Sequence, residues 1–311
     1  MQKNCLNFPV EIVDEAFGES GALAEALGSA RTLIVADVNV VQRNPGLGVG
    51  IGRYAKEHSL VLAGAPVVVG GGEKAKLGDH IAMRRVLMTA IDAGLGPDDR
   101  ILAIGGGTVF DVAGYAAAQV RGGVGVVRVP TTPAAMFGAA FAEVAALDAP
   151  REKDAMVLPC VPKAVVIDVS FAETVLDGVW NGGISEAVRL GAANDPALLK
   201  KIAKLADKFA ARDLGALGKI VAATLSSRKK KGGTDLGLAV AAELEPRSMW
   251  KLPHGYAVAI GILTDLARAV SAGDVRQADF DLCRELLGRC GALDGLYHSR
   301  HILPPEIADL A

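Results

Sequence analysis

RILAIGGGTVFD, residues 100–111, decides how the fold is read. An unbroken apolar run, Ile101 to Ile104, stops at three glycines, and a helical stretch over 109–119 follows. A short continuous apolar run bounded by glycine predicts a strand buried on both faces. Glycines at such a turn let the backbone approach a ligand closely, and the unpaired N–H groups that open the next helix suit an anion such as a pyrophosphate. The spacing is not Gly-x-Gly-x-x-Gly, because Phe110 stands where the third glycine would fall.

The same punctuation recurs outward from this stretch. TLIVADV (32–38), PVVVGGG (66–72), GVVRVPTT (125–132) and KAVVIDVS (163–170) each read as a buried strand. Candidate helices lie between them, over 77–93 and 109–119. Alternation of this kind predicts a parallel sheet covered on both faces, with ligands at the carboxyl ends of its strands. The second glycine-rich turn, GGGEKAK (70–76), and PTT (130–132) fall at such ends. PGLGVGIG (45–52) reads as a flexible loop. From about Gly182 the strand pattern gives way to helices over 184–193, 196–210, 215–227, 255–271 and 277–290. The expectation is an α/β nucleotide-binding domain over 1–175 and an all-α domain over 176–311, with no internal repeat.

Composition narrows the function. Lysine and arginine number 33 and aspartate and glutamate 35, a net charge of −2, so the chain lacks the basic footprint of a nucleic-acid or membrane-surface binder. The first 18 residues hold no signal-like apolar core, and Val129–Ala142 is too short to span a bilayer, so a cytoplasmic protein is expected. Cys5, Cys160, Cys283 and Cys290 have neither metal nor redox spacing and read as buried free thiols. His298 and His301 read as surface histidines. The basic run 228–231 is either a solvated loop or an anion-binding corner.

ADVN (36–39), GGEKAK (71–76), GGGTVFDVAGYAA (105–117), VRG (120–122), VPTT (129–132), PKAVVID (162–168), SEAVRLG (185–191) and LPHGYAVAIG (252–261) occur in one order. In that order they resemble the 3-dehydroquinate synthases and their sugar-phosphate-cyclase relatives, over about residues 30–265. The resemblance implies a dehydroquinate-synthase-like fold, an NAD-binding α/β domain followed by a helical domain with a metal site, and a homodimer. NAD contacts are implied at Asp37, Asn39, Glu73, Lys76, Gly106, Gly107, Asp111, Thr131, Thr132 and Thr174. Glu186 and His254 match two of the family's metal ligands. The family's paired histidines fall on Leu238 and Ala242, which leaves two ligands for zinc or cobalt where a catalytic zinc site uses three protein ligands. Asp235, Glu243 and Glu245 are the nearby acids that could replace the missing one.

Other positions depart as well. Gly138 and Val144 stand where the family has an aspartate and a lysine that contact substrate and cofactor, and Asp154 replaces an asparagine. Arg189 replaces a lysine and can pair with Glu186 one turn away. Arg121 matches an arginine that reaches the partner subunit's site, and Lys231 and Asp235 stand for an arginine and an asparagine. Arg121, Lys153, Arg189 and Lys231 are therefore the candidate catalytic cations, suited to a phosphorylated sugar-like ligand. The implied activity is a phosphate-eliminating carbon–oxygen lyase, with dehydroquinate synthesis itself hard to reconcile with the lost side chains. Two alternatives stay open: an inactive NAD-binding pseudoenzyme and an NAD(P)-dependent alcohol or polyol dehydrogenase.

Overall fold

A computed structural model describes residues 6–77, 79–228 and 235–310. The chain divides into two compact units, one running to Pro150 with Asp154–Thr174, the other comprising Arg151–Lys153 and the chain from Val175 onward.

The first unit is built on a parallel sheet of seven strands: β1 (Val10–Val13), β2 (Arg31–Asp37), β3 (Val61–Leu62), β4 (Val67–Val69), β5 (Arg100–Gly105), β6 (Gly125–Pro130) and, last in the chain, β9 (Ala164–Asp168). β7 (Val144–Ala149) and β8 (Glu152–Pro159) form a separate two-stranded sheet. The spatial order is β1-β9-β6-β5-β2-β3, with β4 also on β2, and every pairing in this sheet is parallel. Six helices connect the strands: α1 (Ala22–Leu27), α2 (Val38–Arg43), α3 (Leu47–Glu57), α4 (Ile81–Asp92), α5 (Gly107–Gln119) and α6 (Pro133–Phe137).

Side chains alternate along a strand, so each strand feeds two cores. Ile34, Ala36, Leu102, Ile104, Val127, Val129, Ala164 and Val166 join Leu23, Val40, Tyr54 and Phe171 in one of them. Leu33, Val35, Ile101, Ala103, Val126, Val165 and Ile167, the alternate residues, are equally buried. This double burial is why the strands read as continuous apolar runs. The chain moves from β2 to β3 and β4 on one side, then crosses to β5 on the other. β2 and β5 therefore flank the point where strand order reverses, the place where open α/β sheets bind ligands.

The segment expected to be a loop at 45–52 is instead part of α3. Leu47, Ile51, Tyr54 and Ala55 form a stripe at helical spacing that packs on the core, while Gly48 and Gly52 lie on the exposed side. Glycine costs a helix up to about 1 kcal/mol per residue, but burial of an apolar stripe outweighs propensity. The Tyr54 hydroxyl also accepts a hydrogen bond from Ala24 N at 2.9 Å, tying α3 to α1.

The second unit is helical: α7 (Asp177–Asn194), α8 (Pro196–Ala210), α9 (Leu214–Ser227), α10 (Leu238–Arg247), α11 (His254–Ala272), α12 (Gln277–Arg289) and α13 (Asp294–His298). α11 packs against α7, α10, α12 and α13. Among the described residues it alone is long and apolar enough to cross a membrane, and it is largely buried within the protein. Two glycine pairs set its approach to its neighbours. A Cβ on Gly255 would strike the carbonyl of Gly182 on α7, and one on Gly261 would strike that of Gly237 before α10. Cys160, Cys283 and Cys290 are buried and free, and burial pushes the Cys283 and Cys290 thiols up to about 12.

Candidate active site

At the carboxyl edge of the sheet, Asp37 ends β2 and caps α2. Its Oδ1 accepts from Asn39 N at 2.7 Å and Asn39 Nδ2 at 3.0 Å. A side chain at Gly71 would strike the Asp37 carboxylate, so glycine is required where the β4 turn meets the end of β2. Gly106 caps α5 in an extended conformation and offers no side chain to the helix's first N–H groups. A Cβ on Gly107 would lie 3.0 Å from that of Ala139. At the end of β6, Thr131 is buried and its hydroxyl has no hydrogen-bond partner, whereas Thr132 Oγ1 caps α6 by accepting from Ala135 N at 3.3 Å. Thr174 lies beyond β9, where its hydroxyl accepts from Asn44 Nδ2 at 3.4 Å. Bare glycine backbone, an uncapped helix of three turns and an orphaned buried hydroxyl suit the phosphates and polar edges of a dinucleotide.

Glu73, Lys76 and Asp111 also come together, in company the sequence reading did not foresee. Lys76 Nζ is buried among Glu73 (2.9 Å), Asp111 (3.1 Å), Asp148 (3.5 Å) and Asp154 (3.5 Å). Burial opposes the ammonium charge, but the four carboxylates outweigh it and raise the lysine pKa. Burial also lifts Asp111 above the usual carboxylate range, although Lys76 pulls it down. Asp148 was not singled out in the sequence.

Nor was Arg128, which is fully buried on β6. It donates to the carbonyls of Ala139 (3.4 Å), Ala140 (3.2 Å), Ala142 (2.6 Å) and Cys160 (3.1 Å). It thereby pins the apolar segment that holds Gly138. The available signal was a lone charge inside an otherwise apolar strand.

In the second unit, the Gly182–Gly255 crossing brings α7 and the start of α11 together. Glu186 stands one turn beyond Gly182, and His254 adjoins Gly255. Glu186 Oε2 accepts from Arg189 Nη2 at 2.7 Å, and its Oε1 lies 3.6 Å from His254 Nε2. His254 Nδ1 faces Glu245 Oε1 at 2.8 Å, and Glu245 Oε2 lies 3.1 Å from Lys153 Nζ. The result is a chain of alternating charge, Arg189–Glu186–His254–Glu245–Lys153. Glu186, Arg189, Glu245 and Lys153 are buried and His254 is a third exposed. Burial opposes the charge on Glu186, but Arg189 and His254 hold it down to about 2. Burial likewise opposes an imidazolium at His254, but Glu245 and Glu186 push it up to about 10. Arg228, at the end of α9, is brought down to about 10 by burial, against the attraction of Glu186 and with the repulsion of Arg189. Arg189 Nε and Nη1 are buried and have no hydrogen-bond partner.

These residues do not form a three-ligand metal site. Leu238 and Ala242, expected from the sequence to stand for the family's paired histidines, lie on α10, and no cluster of three or more His, Cys, Asp or Glu suited to a metal occurs among the described residues. Of the three acids near the gap, Glu243 is exposed and pairs with Arg247 at 2.8 Å, Asp235 is exposed, and Glu245 turns to His254 and Lys153. Each further unit of positive charge placed 4 Å from the Arg189 guanidinium would cost about 4 kcal/mol at an effective dielectric of about 20. Arg121 is exposed in the turn after α5, and Lys231 lies outside the described residues.

A sequence profile for the 3-dehydroquinate synthase N-terminal region matches residues 66–180. The 3-dehydroquinate synthase of Halorhodospira halophila is 29% identical over 280 residues, covering 88% of this chain and 73% of its own. The chain is related to the 3-dehydroquinate synthases. Solved cyclase structures share its fold. The 2-epi-5-epi-valiolone synthase of Streptomyces hygroscopicus subsp. jinggangensis, with NAD+ and Zn2+ bound, superposes with a TM-score of 0.80 at 20% identity, over 95% of this chain and 87% of that one. A 2-deoxy-scyllo-inosose synthase complexed with carbaglucose-6-phosphate, NAD+ and Co2+ gives 0.74 at 18% identity, over 94% and 83%. The dehydroquinate-synthase-like fold expected from the sequence, a parallel α/β unit followed by a helical one, is the fold observed.

Proposed function

We propose that this chain is an NAD-binding sugar-phosphate cyclase relative that works as a phosphate-eliminating carbon–oxygen lyase on an anionic, phosphorylated, sugar-like substrate. One observation carries the reading: the buried Arg189 guanidinium spends one nitrogen on Glu186 and keeps two without a protein partner. A planar guanidinium with N–H groups to spare is the group best shaped to take phosphate oxygens. NAD would be held by the first unit, with its phosphates at Gly106 and Gly107, and with Thr131, Asp37 and Asn39 as polar partners. When bound it supplies a hydride acceptor for a substrate alcohol.

The chain's own residues favour the elimination step. The proton on the carbon beside the breaking bond passes to an oxygen of the substrate's own phosphate; as the C–O bond to the ester oxygen breaks, its electron pair leaves with the phosphate, and Arg189 offers positive charge to that oxygen. Glu186 holds the guanidinium in place. Glu245 and Glu186 favour the protonated ring of His254 against the opposing effect of burial, which suits it to donate a hydrogen bond to a bound anion. Lys153, in the same unit, is a further cation for the substrate's charges.

The test is phosphate release from seven-carbon phosphosugar acids and related phosphosugars in the presence of NAD. Phosphate release that requires NAD and fails in Arg189→Met supports the reading. A second reading, an NAD-binding protein without turnover, is favoured by Leu238, Ala242, Gly138 and Val144 at positions where the family uses polar side chains. Saturable NAD binding with no phosphate release across the panel would establish it in place of the first. Net accumulation of NADH with an alcohol would point instead to a dehydrogenase.

A further inference from the structure

Every carboxylate oxygen in the ion-pair chain of the second unit already meets a nitrogen of a basic side chain. Glu186 presents Oε2 to Arg189 at 2.7 Å and Oε1 to His254 at 3.6 Å; Glu245 presents Oε1 to His254 at 2.8 Å and Oε2 to Lys153 at 3.1 Å. Both ring nitrogens of His254 therefore face carboxylates. A catalytic metal needs three protein ligands, and with Nδ1 held by Glu245 this pair offers only His254 Nε2 and Glu186, whose other oxygen Arg189 already occupies. The two paired-histidine positions are hydrocarbon at Leu238 and Ala242, and the guanidinium beside Glu186 repels a dication. Arg189 differs from a metal in one useful respect. It is covalently part of the chain and carries its charge at any physiological pH.

We propose that this site is a metal-independent centre in which the Arg189 guanidinium takes the structural place of a divalent cation, neutralising Glu186, whose other oxygen faces His254 at the start of α11. The proposal does not depend on turnover. A protein that binds NAD and releases no phosphate would still be expected to hold no metal, so the two readings fail separately.

Metal analysis of the full-length protein, after equilibration with Zn2+ or Co2+ and gel filtration, reads the proposal directly. The expected result is substoichiometric metal, no cobalt ligand-field absorbance, and the same thermal midpoint with chelator, with Zn2+ and with neither. One retained metal per chain, or a midpoint lowered by chelator, overturns it. A double-mutant cycle of Glu186→Gln and Arg189→Met provides an independent readout by denaturant unfolding. Each single change should lower the folded-to-unfolded ratio on the order of 100- to 1,000-fold, because it strands a buried charge, and the double change should cost far less than the product. Additive effects, or an Arg189→Met protein as stable as the parent, also overturn it.

Discussion

Replacing Glu245 by glutamine removes one negative charge from the middle of the ion-pair chain and leaves its shape intact. Glu245 is fully buried, with one oxygen 2.8 Å from His254 Nδ1 and the other 3.1 Å from Lys153 Nζ. Its charge is the leading attraction that lifts His254 from 6.5 to about 10 against the opposing effect of burial. A unit charge at about 4 Å and an effective dielectric of about 20 is worth about 4 kcal/mol, close to 3 pKa units. His254 is a third exposed, so about half of that survives solvent screening. The Glu245→Gln protein should therefore titrate His254 about 1.5 pH units lower than the parent. Lys153 loses the charge of Glu245 in the same step, and the fold should lose about 2–3 kcal/mol. The assay follows the imidazole Cε1 proton against pH by NMR, with a His254→Gln spectrum for assignment and His58, His80, His298 and His301 as internal controls. Urea unfolding reads the stability. A Glu245→Gln protein whose His254 still titrates near 10, or a parent whose His254 titrates at 6.5, would refute the charge-chain reasoning.

Gly255→Ala drives a methyl group into the Gly182 carbonyl and should cost at least about 1–3 kcal/mol by urea unfolding, the range for overpacking, with loss of the Glu186–His254 approach. The part of the stability that a His254→Gln, Glu186→Gln double variant lacks should be flat between about pH 4.5 and 6.5 and fall on both sides. The His254 contribution is complete below its ordinary 6.5 and is lost as pH rises through 10, while the Glu186 contribution is complete above 4.5 and is lost as pH falls through 2. A difference in unfolding free energy that climbs from pH 7 to 10 would contradict this. Thr131→Val removes a hydroxyl that bonds to nothing in the protein, so stability should change by no more than about 0.5 kcal/mol. NAD affinity measured by calorimetry should drop about 5- to 10-fold, the value of one hydrogen bond, and an unchanged affinity removes Thr131 from the cofactor site.

The strands of the first unit were legible because burial on both faces leaves no polar residue to interrupt the pattern. β2, β5, β6 and β9 all fall inside runs read from sequence. β8, with alternate exposure along EKDAMVLP, carries no such run and was missed. α3 was missed for the opposite reason: its glycines suggested a loop, and the stripe of Leu47, Ile51, Tyr54 and Ala55 was visible only to a count of helical spacing. The glycine turns were legible as tight turns at strand ends because their chemistry is backbone chemistry, which composition announces. The ion-pair chain was legible only in pieces. Glu186 and Arg189 are neighbours on one helix, and their pairing follows from spacing. The contact of Lys153 with Glu245 joins segments far apart in the sequence, and that of His254 with Glu245 crosses the turn between α10 and α11, so no helical spacing predicts either.

Charge balance connects the two proposals. Arg189, His254 and Lys153 alternate with Glu186 and Glu245, and Arg228 lies within electrostatic reach of Glu186 and Arg189. A divalent cation added beside the Arg189 guanidinium meets repulsion, whereas a phosphate monoester, carrying close to two negative charges at neutral pH, would give the spare Arg189 N–H groups their acceptors. Leucine at 238 and arginine at 189 thus have a common physical sense. A buried glutamate that keeps its charge needs a cation beside it, and no group of three metal-ligating side chains stands there among the described residues. A guanidinium supplies that cation and still has nitrogens left for an anionic ligand.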